Sequence, residues 1–233
     1  MNMNNALANT VITSELMAKA IEHTVLKPDA RHSDLDVLVQ EAMTHGFGAV
    51  CVNSCHVKRV YDILKGSRVH VCAVVGFPLG AAHTKAKVCE AEAAVENGAM
   101  ELDMVLNIGA LKSGDFKTAQ TDIQAVRQAA GSDRTLKVII ETCLLTEKEK
   151  MLACKIAMSA HANFVKTSTG FSSGGASIED VRLMKQTVGD TMQVKASGGI
   201  KDWDTAAAMI RAGASRIGTS SGVTILQNAP KSS

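Results

Sequence analysis

The chain switches repeatedly between two hydrophobic periods, and this alternation limits its fold more than any other feature. Short unbroken apolar runs, such as AVCV at 49–52, are each followed by a stretch whose apolar residues lie three and four apart. The first pattern suits a strand covered on both faces; the second suits a helix buried along one stripe. The strand-like runs are IEHTVL, AVCV, VHVCAVV, MELDMV, LKVIIE, FVK, the segment around Val194, and SRIGTSS. Between them, polar caps mark helix starts. Ser33 and Asp34 precede a helix to about Thr44, and Ser54 precedes one carrying Val57, Val60, Tyr61 and Leu64. A long helix is expected over Thr84–Glu96 and another from Asp115 to about Ala130. Thr146 with Glu149 forms a capping box, and helices follow at Ser177–Val188 and Trp203–Ala212. Eight strand–helix units in strict alternation require parallel strands. In a chain of 233 residues they fit an α/β fold of the (β/α)8 TIM-barrel type, a closed parallel eight-stranded sheet. No GxGxxG follows the first strand, which disfavours an open dinucleotide-binding sheet.

Composition narrows the partners. Apolar residues make up 46%, charged residues 21% and aromatics 3% of the chain, with net charge +2 and only three prolines. The signs are interspersed, so nothing points to nucleic acid or a membrane surface. The start, MNMNNALANT, lacks a basic segment followed by an apolar one. The six cysteines lie mostly inside apolar runs and read as reduced thiols of a cytoplasmic protein. Cys51, Cys55 and His56 are close in sequence but have no second CxxC or HxxxH partner, so no metal site is read from them. A single domain over 1–233 is expected, with mobile segments at 1–12 and 227–233.

A barrel presents its chemistry at the C-terminal ends of its strands. Lys166 ends the run FVK and Lys195 takes the matching place in VKASGGI, while Asp103 sits among apolar neighbours in ELDMV. Two edge lysines are the plain reading of the pair. The chemical reading is that burial and a second nearby ammonium disfavour the charged lysine, whose free pKa is about 10.4. A neutral amine then adds to a carbonyl to form a Schiff base, and Asp103 moves protons beside the imine. A salt bridge is the plain alternative for Asp103. Glycine turns at Ser197-Gly198-Gly199 and Gly218-Thr219-Ser220-Ser221 follow the last two strands. Backbone N–H groups in such turns cradle a phosphate, and the hydroxyls of Ser197, Thr219, Ser220 and Ser221 are further donors.

IEHTVLKP, AVCVN, VVGFPLG, ELDMVLNIGALKSGDF, KVIIETCLL, FVKTSTGF, VKASGGI and GTSSG follow one another in this order. In that series the chain, from about Ile21 to Leu226, resembles the deoxyribose-phosphate aldolases. The resemblance implies a class I aldolase on a TIM barrel, needing no metal or other cofactor. It implies reversible cleavage of 2-deoxy-D-ribose 5-phosphate to D-glyceraldehyde 3-phosphate and acetaldehyde, in deoxyribonucleoside breakdown. It assigns Lys166 the Schiff base, Lys195 the perturbing charge and Asp103 the proton relay. Glu22, Cys51 and Thr169 line the substrate site; Gly170, Gly198, Gly199, Gly218, Ser220 and Ser221 form the phosphate cradle. Phe171 stands where some members carry a basic residue, which makes Lys201 the candidate phosphate cation. Some members end in a tyrosine that reaches the site, whereas Tyr61 is the only tyrosine here. A homodimer or homotetramer is expected. A phosphosugar isomerase or epimerase, and a non-catalytic phosphosugar-binding barrel, are the alternatives. An isomerase calls for a carboxylate or histidine base rather than a lysine pair.

Overall fold

The computed structural model describes residues 11–230. The chain runs α1 (Ser14–Ala20), β1 (Ile21–Val25), α2 (His32–His45), β2 (Ala49–Val52), α3 (Val57–Leu64), β3 (His70–Val75) and α4 (Thr84–Glu96). It continues through β4 (Glu101–Val105), α5 (Ile108–Lys112), α6 (Phe116–Ala130), β5 (Thr135–Ile139), α7 (Glu147–Ser159) and β6 (Phe164–Lys166). It closes with α8 (Ile178–Val188), β7 (Gln193–Ser197), α9 (Trp203–Arg211), β8 (Arg216–Thr219) and α10 (Gly222–Gln227). The eight strands pair in order, all parallel, and β8 returns to β1. This is the (β/α)8 barrel that the alternating periods require.

Strand side chains alternate between the helix layer and the barrel interior, and the two environments differ in kind. Val50, Val52, Val71, Ala73, Val75, Leu102 and Met104 join the large apolar core beneath the helices. Cys51, Cys72 and Val74, with Leu26, form a small second cluster. On β4, Leu102 and Met104 belong to the large core, whereas the alternating Glu101 and Asp103 are buried charges. On β4 the charged interior therefore takes every second position, while β2 and β3 offer it thiols and a valine.

Several caps agree with the sequence. Asp115 and Ser177 accept the N–H groups of Thr118 and Asp180, and Thr146 with Glu149 forms the reciprocal box. Two do not. Ser54 begins a 3-10 turn, Ser54–His56, rather than capping α3, and its hydroxyl donates to Glu90 Oε1 at 2.8 Å. Asp34 lies inside α2, where its carboxylate accepts the Arg31 N–H at 2.7 Å. The fifth strand stops at Ile139, short of Glu141, whose left-handed backbone (φ 54°) leads into a second 3-10 turn, Thr142–Leu144. The terminal segments expected to be mobile fall outside the described residues except for 11–12 and 227–230. Gln227 closes α10.

Candidate active site

Strand register assembles the charged interior. Lys166 is the register partner of Lys195 across β6 and β7, and Asp103 that of Lys137 across β4 and β5. Register partners on adjacent parallel strands send their side chains to the same face, so each pair enters the barrel together. Both Lys166 Nζ and Lys195 Nζ reach Asp103 Oδ2 at 2.7 Å. The two ammonium nitrogens therefore lie within twice that distance of each other. Lys195 also donates to Glu22 Oε2. Lys137 Nζ lies 2.9 Å from Asp103 Oδ1, 2.5 Å from Glu101 Oε2 and 3.4 Å from Glu22 Oε2. Three lysines thus face three carboxylates, all buried. The formal charges cancel, as burial of ions demands.

The balance sets each group's protonation. Burial pushes the Asp103 carboxyl upward, but Lys137, Lys166 and Lys195 together hold it well below the usual carboxylate range. Burial works against the Lys195 ammonium, yet Asp103 and Glu22 prevail and raise its pKa. Lys137 follows the same logic, with Asp103 its strongest carboxylate neighbour. Lys195 is therefore a fixed cation beside Lys166.

Cys51 lies on the same wall, fully buried. A hydrogen bond from Cys72 lowers its thiol pKa against the opposing effect of burial. Cys72 Sγ donates to Asp103 Oδ1 at 3.2 Å. Two thiol–carboxylate groups here, Cys51 with Cys72 and Asp103, and Glu22 with Cys72 and Glu101, have metal-ligand spacing. Their shared neighbour is already a cation: Lys137 Nζ contacts Asp103, Glu22 and Glu101 and lies 3.5 Å from Cys72 Sγ. Cys55, by contrast, is exposed on the 3-10 turn after β2.

The loops after β6, β7 and β8 form one rim of the barrel mouth. Gly198 (φ 88°) and Gly199 (φ 81°) take left-handed backbone that other residues rarely adopt. At Gly175 a Cβ would meet Gly198 O at 2.3 Å, so the loops after β6 and β7 pack backbone to backbone. At Gly218 a Cβ would meet Ser197 Cβ at 2.9 Å and Lys195 Cε at 3.0 Å, and that space belongs to the Lys195 side chain. Two hydroxyls read as phosphate donors are engaged within the rim. Ser197 Oγ donates to Ser168 O at 2.6 Å, and Thr219 Oγ1 donates to Ile200 O at 2.7 Å. The Ser221 N–H is likewise directed to Thr219 Oγ1, at 2.9 Å. Gly170, Gly199, Lys201 and Ser220 are exposed. Thr169 is buried, and its hydroxyl donates to Glu141 while accepting the Phe171 N–H at 3.1 Å. Across the mouth, the exposed Phe171 ring meets Phe77 edge-on, with centroids 5.3 Å apart.

The structure brings Glu22, Cys51, Asp103, Lys166 and Lys195 into one cluster and places Thr169, Gly170, Gly198, Gly199, Gly218, Ser220 and Ser221 along the adjoining rim; Lys201 follows at the start of the turn into α9. The residues missed by sequence reasoning are Lys137, Glu101, Cys72 and Glu141. Lys137 carried a usable signal, because it interrupts the apolar run LKVII as Lys166 ends FVK.

The chain is similar to known proteins in sequence and in fold. Residues 16–229 match the family model described as DeoC/LacD family aldolase. A deoxyribose-phosphate aldolase of Brevibacillus brevis is 60% identical over 213 residues, 91% of this chain and 96% of the relative. One from Staphylococcus epidermidis is 56% identical, over 90% of this chain and 95% of its own. Among solved structures, the tetrameric deoxyribose phosphate aldolase of Aeropyrum pernix superposes with a TM-score of 0.89 at 32% identity, covering 96% of this chain and 95% of that one. By sequence and by fold alike, this chain belongs to the DeoC/LacD family of aldolases.

Proposed function

We propose that the protein is a deoxyribose-phosphate aldolase that reversibly cleaves 2-deoxy-D-ribose 5-phosphate through an imine on Lys166. The observation that carries this reading is the convergence of Lys166 and Lys195 on one oxygen of Asp103 inside the barrel. Lys166 gives its proton to the relay and adds through Nζ to the C1 carbonyl, and loss of water leaves the imine. Loss of the C3 hydroxyl proton then breaks the C2–C3 bond. Glyceraldehyde 3-phosphate departs, and the electron pair stays on the acetaldehyde fragment as an enamine. Asp103 handles the proton that converts the enamine to the imine of acetaldehyde, and water releases it. Lys195, held charged by Asp103 and Glu22, repels a second ammonium and so favours the neutral form of the nucleophile. Glu22 Oε1, buried with no hydrogen-bond partner among the described residues, takes a substrate hydroxyl, and Cys51 and Thr169 line the same wall. Gly170, Gly198, Gly199, Gly218, Ser220 and Ser221 receive the phosphate, with Lys201 as its cation.

The relatives at 54–60% identity carry the deoxyribose-phosphate aldolase name, which disfavours the isomerase, epimerase and binding-protein alternatives. A homodimer or homotetramer is the expected assembly, supported by the tetrameric relative. A cytoplasmic setting, in deoxyribonucleoside breakdown, is supported by six free cysteines. Among the described residues no helix is long and apolar enough to cross a membrane. The deciding experiment is incubation with acetaldehyde, borohydride reduction and peptide mass mapping. A mass adduct on Lys166 is expected, and an adduct elsewhere or none defeats the proposal. Activity is expected to persist in chelator, since no step uses a metal.

A further inference from the structure

The charged cluster does not end at the catalytic lysines. Glu101 stands two residues before Asp103 on β4, its side chain entering the same barrel interior one layer deeper. One of its oxygens, Oε1, faces His70 Nδ1 at 3.1 Å and Arg216 Nη2 at 3.7 Å. The other, Oε2, faces Lys137 Nζ at 2.5 Å. That contact is a close charge pair without the alignment of a hydrogen bond, since Oε2 has no hydrogen-bond donor in line. Lys137 in turn touches Asp103, which touches Lys166. An unbroken line of ionisable groups therefore crosses the barrel, from the half-exposed His70 on its floor to the nucleophile near its mouth.

We propose that Glu101 is a positioning residue for the aldol cleavage, acting through Lys137 and touching no substrate. The inference rests on the Lys166 reading above. Five further groups face the Glu101–Lys137 pair in this line: His70, Arg216, Glu22, Cys72 and Asp103. Within it Lys137 is pulled two ways, toward Glu101 below and toward Asp103 and Glu22 above. The Glu101 charge draws the Lys137 ammonium to the floor and leaves Asp103 Oδ2 to Lys166 and Lys195. It also makes the count of three lysines and three carboxylates even. Without that charge, Lys137 moves up to compete for Asp103 and Glu22, and the interior carries one surplus positive charge. Surplus positive charge eases proton loss from an ammonium group.

The test is Glu101→Gln, a change of charge at nearly constant volume. With the relay carboxylate misplaced, kcat is expected to fall about tenfold with KM within about twofold. The ascending limb of the kcat–pH profile is expected to move to lower pH, and Glu101→Asp to restore the limb in part. In a Lys137→Met background, the Glu101→Gln change is expected to cost nothing further, because the two act through one contact. An unchanged rate and profile overturns the proposal. So does a fall in kcat with an unmoved pH limb, or an equal loss in both backgrounds. If Glu101→Gln alone does not fold, the comparison of Lys137→Met with the double variant decides, since neither of these leaves Lys137 unpaired. An inactive parent enzyme would instead count against the aldolase reading, so the two failures are distinguishable.

Discussion

At the residue scale the site works by sharing one carboxylate. Asp103 is held ionised by three ammonium groups against the pull of burial. That makes it a permanent hydrogen-bond acceptor, which Lys166 Nζ meets at 2.7 Å. Lys195 contributes charge rather than chemistry, so the sign of its effect is fixed. Lys195→Leu removes the like charge beside the Lys166 amine. The ascending limb of the activity profile should move upward, opposite to the direction expected for Glu101→Gln, and kcat should fall by about a hundredfold or more. Steady-state rates from pH 5 to 10 check both signs together. Identical profiles for the parent and Lys195→Leu would defeat the two-lysine mechanism. Lys166 and Asp103 were legible in the sequence because each charge interrupts an apolar run. Lys137 left the same trace but carried no glycine turn to draw attention to it.

At the element scale, buried ion pairs also lock helices to the barrel. Lys87 on α4 is fully buried; its Nζ donates to Asp122 Oδ2 on α6 at 2.6 Å and to Val105 O at the end of β4 at 2.9 Å. Thr84 Oγ1 completes the Asp122 carboxylate at 2.8 Å. The Lys87 stem fills the space beside Gly76, where a Cβ would meet Lys87 Cε at 2.7 Å. One lysine thereby joins two helices to the C-terminal end of the strand that carries Asp103. Lys87→Met keeps the stem and strands the Asp122 charge, so the loss should be about 3–5 kcal/mol of stability. Lys87→Met with Asp122→Leu should recover most of it, as read by urea denaturation. The sequence reading placed α4 and α6 correctly, yet a lysine and an aspartate far apart in the chain gave no sign of pairing. Ser54 failed as a cap for a related reason: its hydroxyl found Glu90, also on α4, a partner that only the fold brings near.

At the scale of the whole molecule, the interior charges couple stability to pH. Asp103 and Glu101 both have folded-state pKa values below their ordinary 3.8 and 4.5; burial is overcome by Lys137, Lys166 and Lys195 at Asp103, and by Lys137, His70 and Arg216 at Glu101. A depressed carboxyl contributes stability that is fully present above its unfolded pKa and lost as pH falls below it. The fold should therefore hold through neutral pH and lose stability steeply below about pH 4.5. Glu101→Gln should flatten that acid dependence, as followed by thermal melts between pH 7 and pH 3. A melt whose pH dependence is unchanged in the variant would place the acid sensitivity elsewhere. Sequence alone determined the architecture, because the alternation of strand and helix periods is a local property written into every few residues. It also determined where the chemistry sits, because a parallel barrel brings all its strand ends to one mouth. Tertiary structure decided which charges meet. Register set Lys137 beside Asp103 and closure set Glu22 beside Lys195, distances that depend on strands remote in sequence. The same packing turned Ser197, Thr219 and the Ser221 N–H inward to hold the loops. The lysine pair that the local pattern suggested is, in the folded barrel, part of a balanced set of six charges, and only closure of the sheet could bring the side chains of five strands to one point.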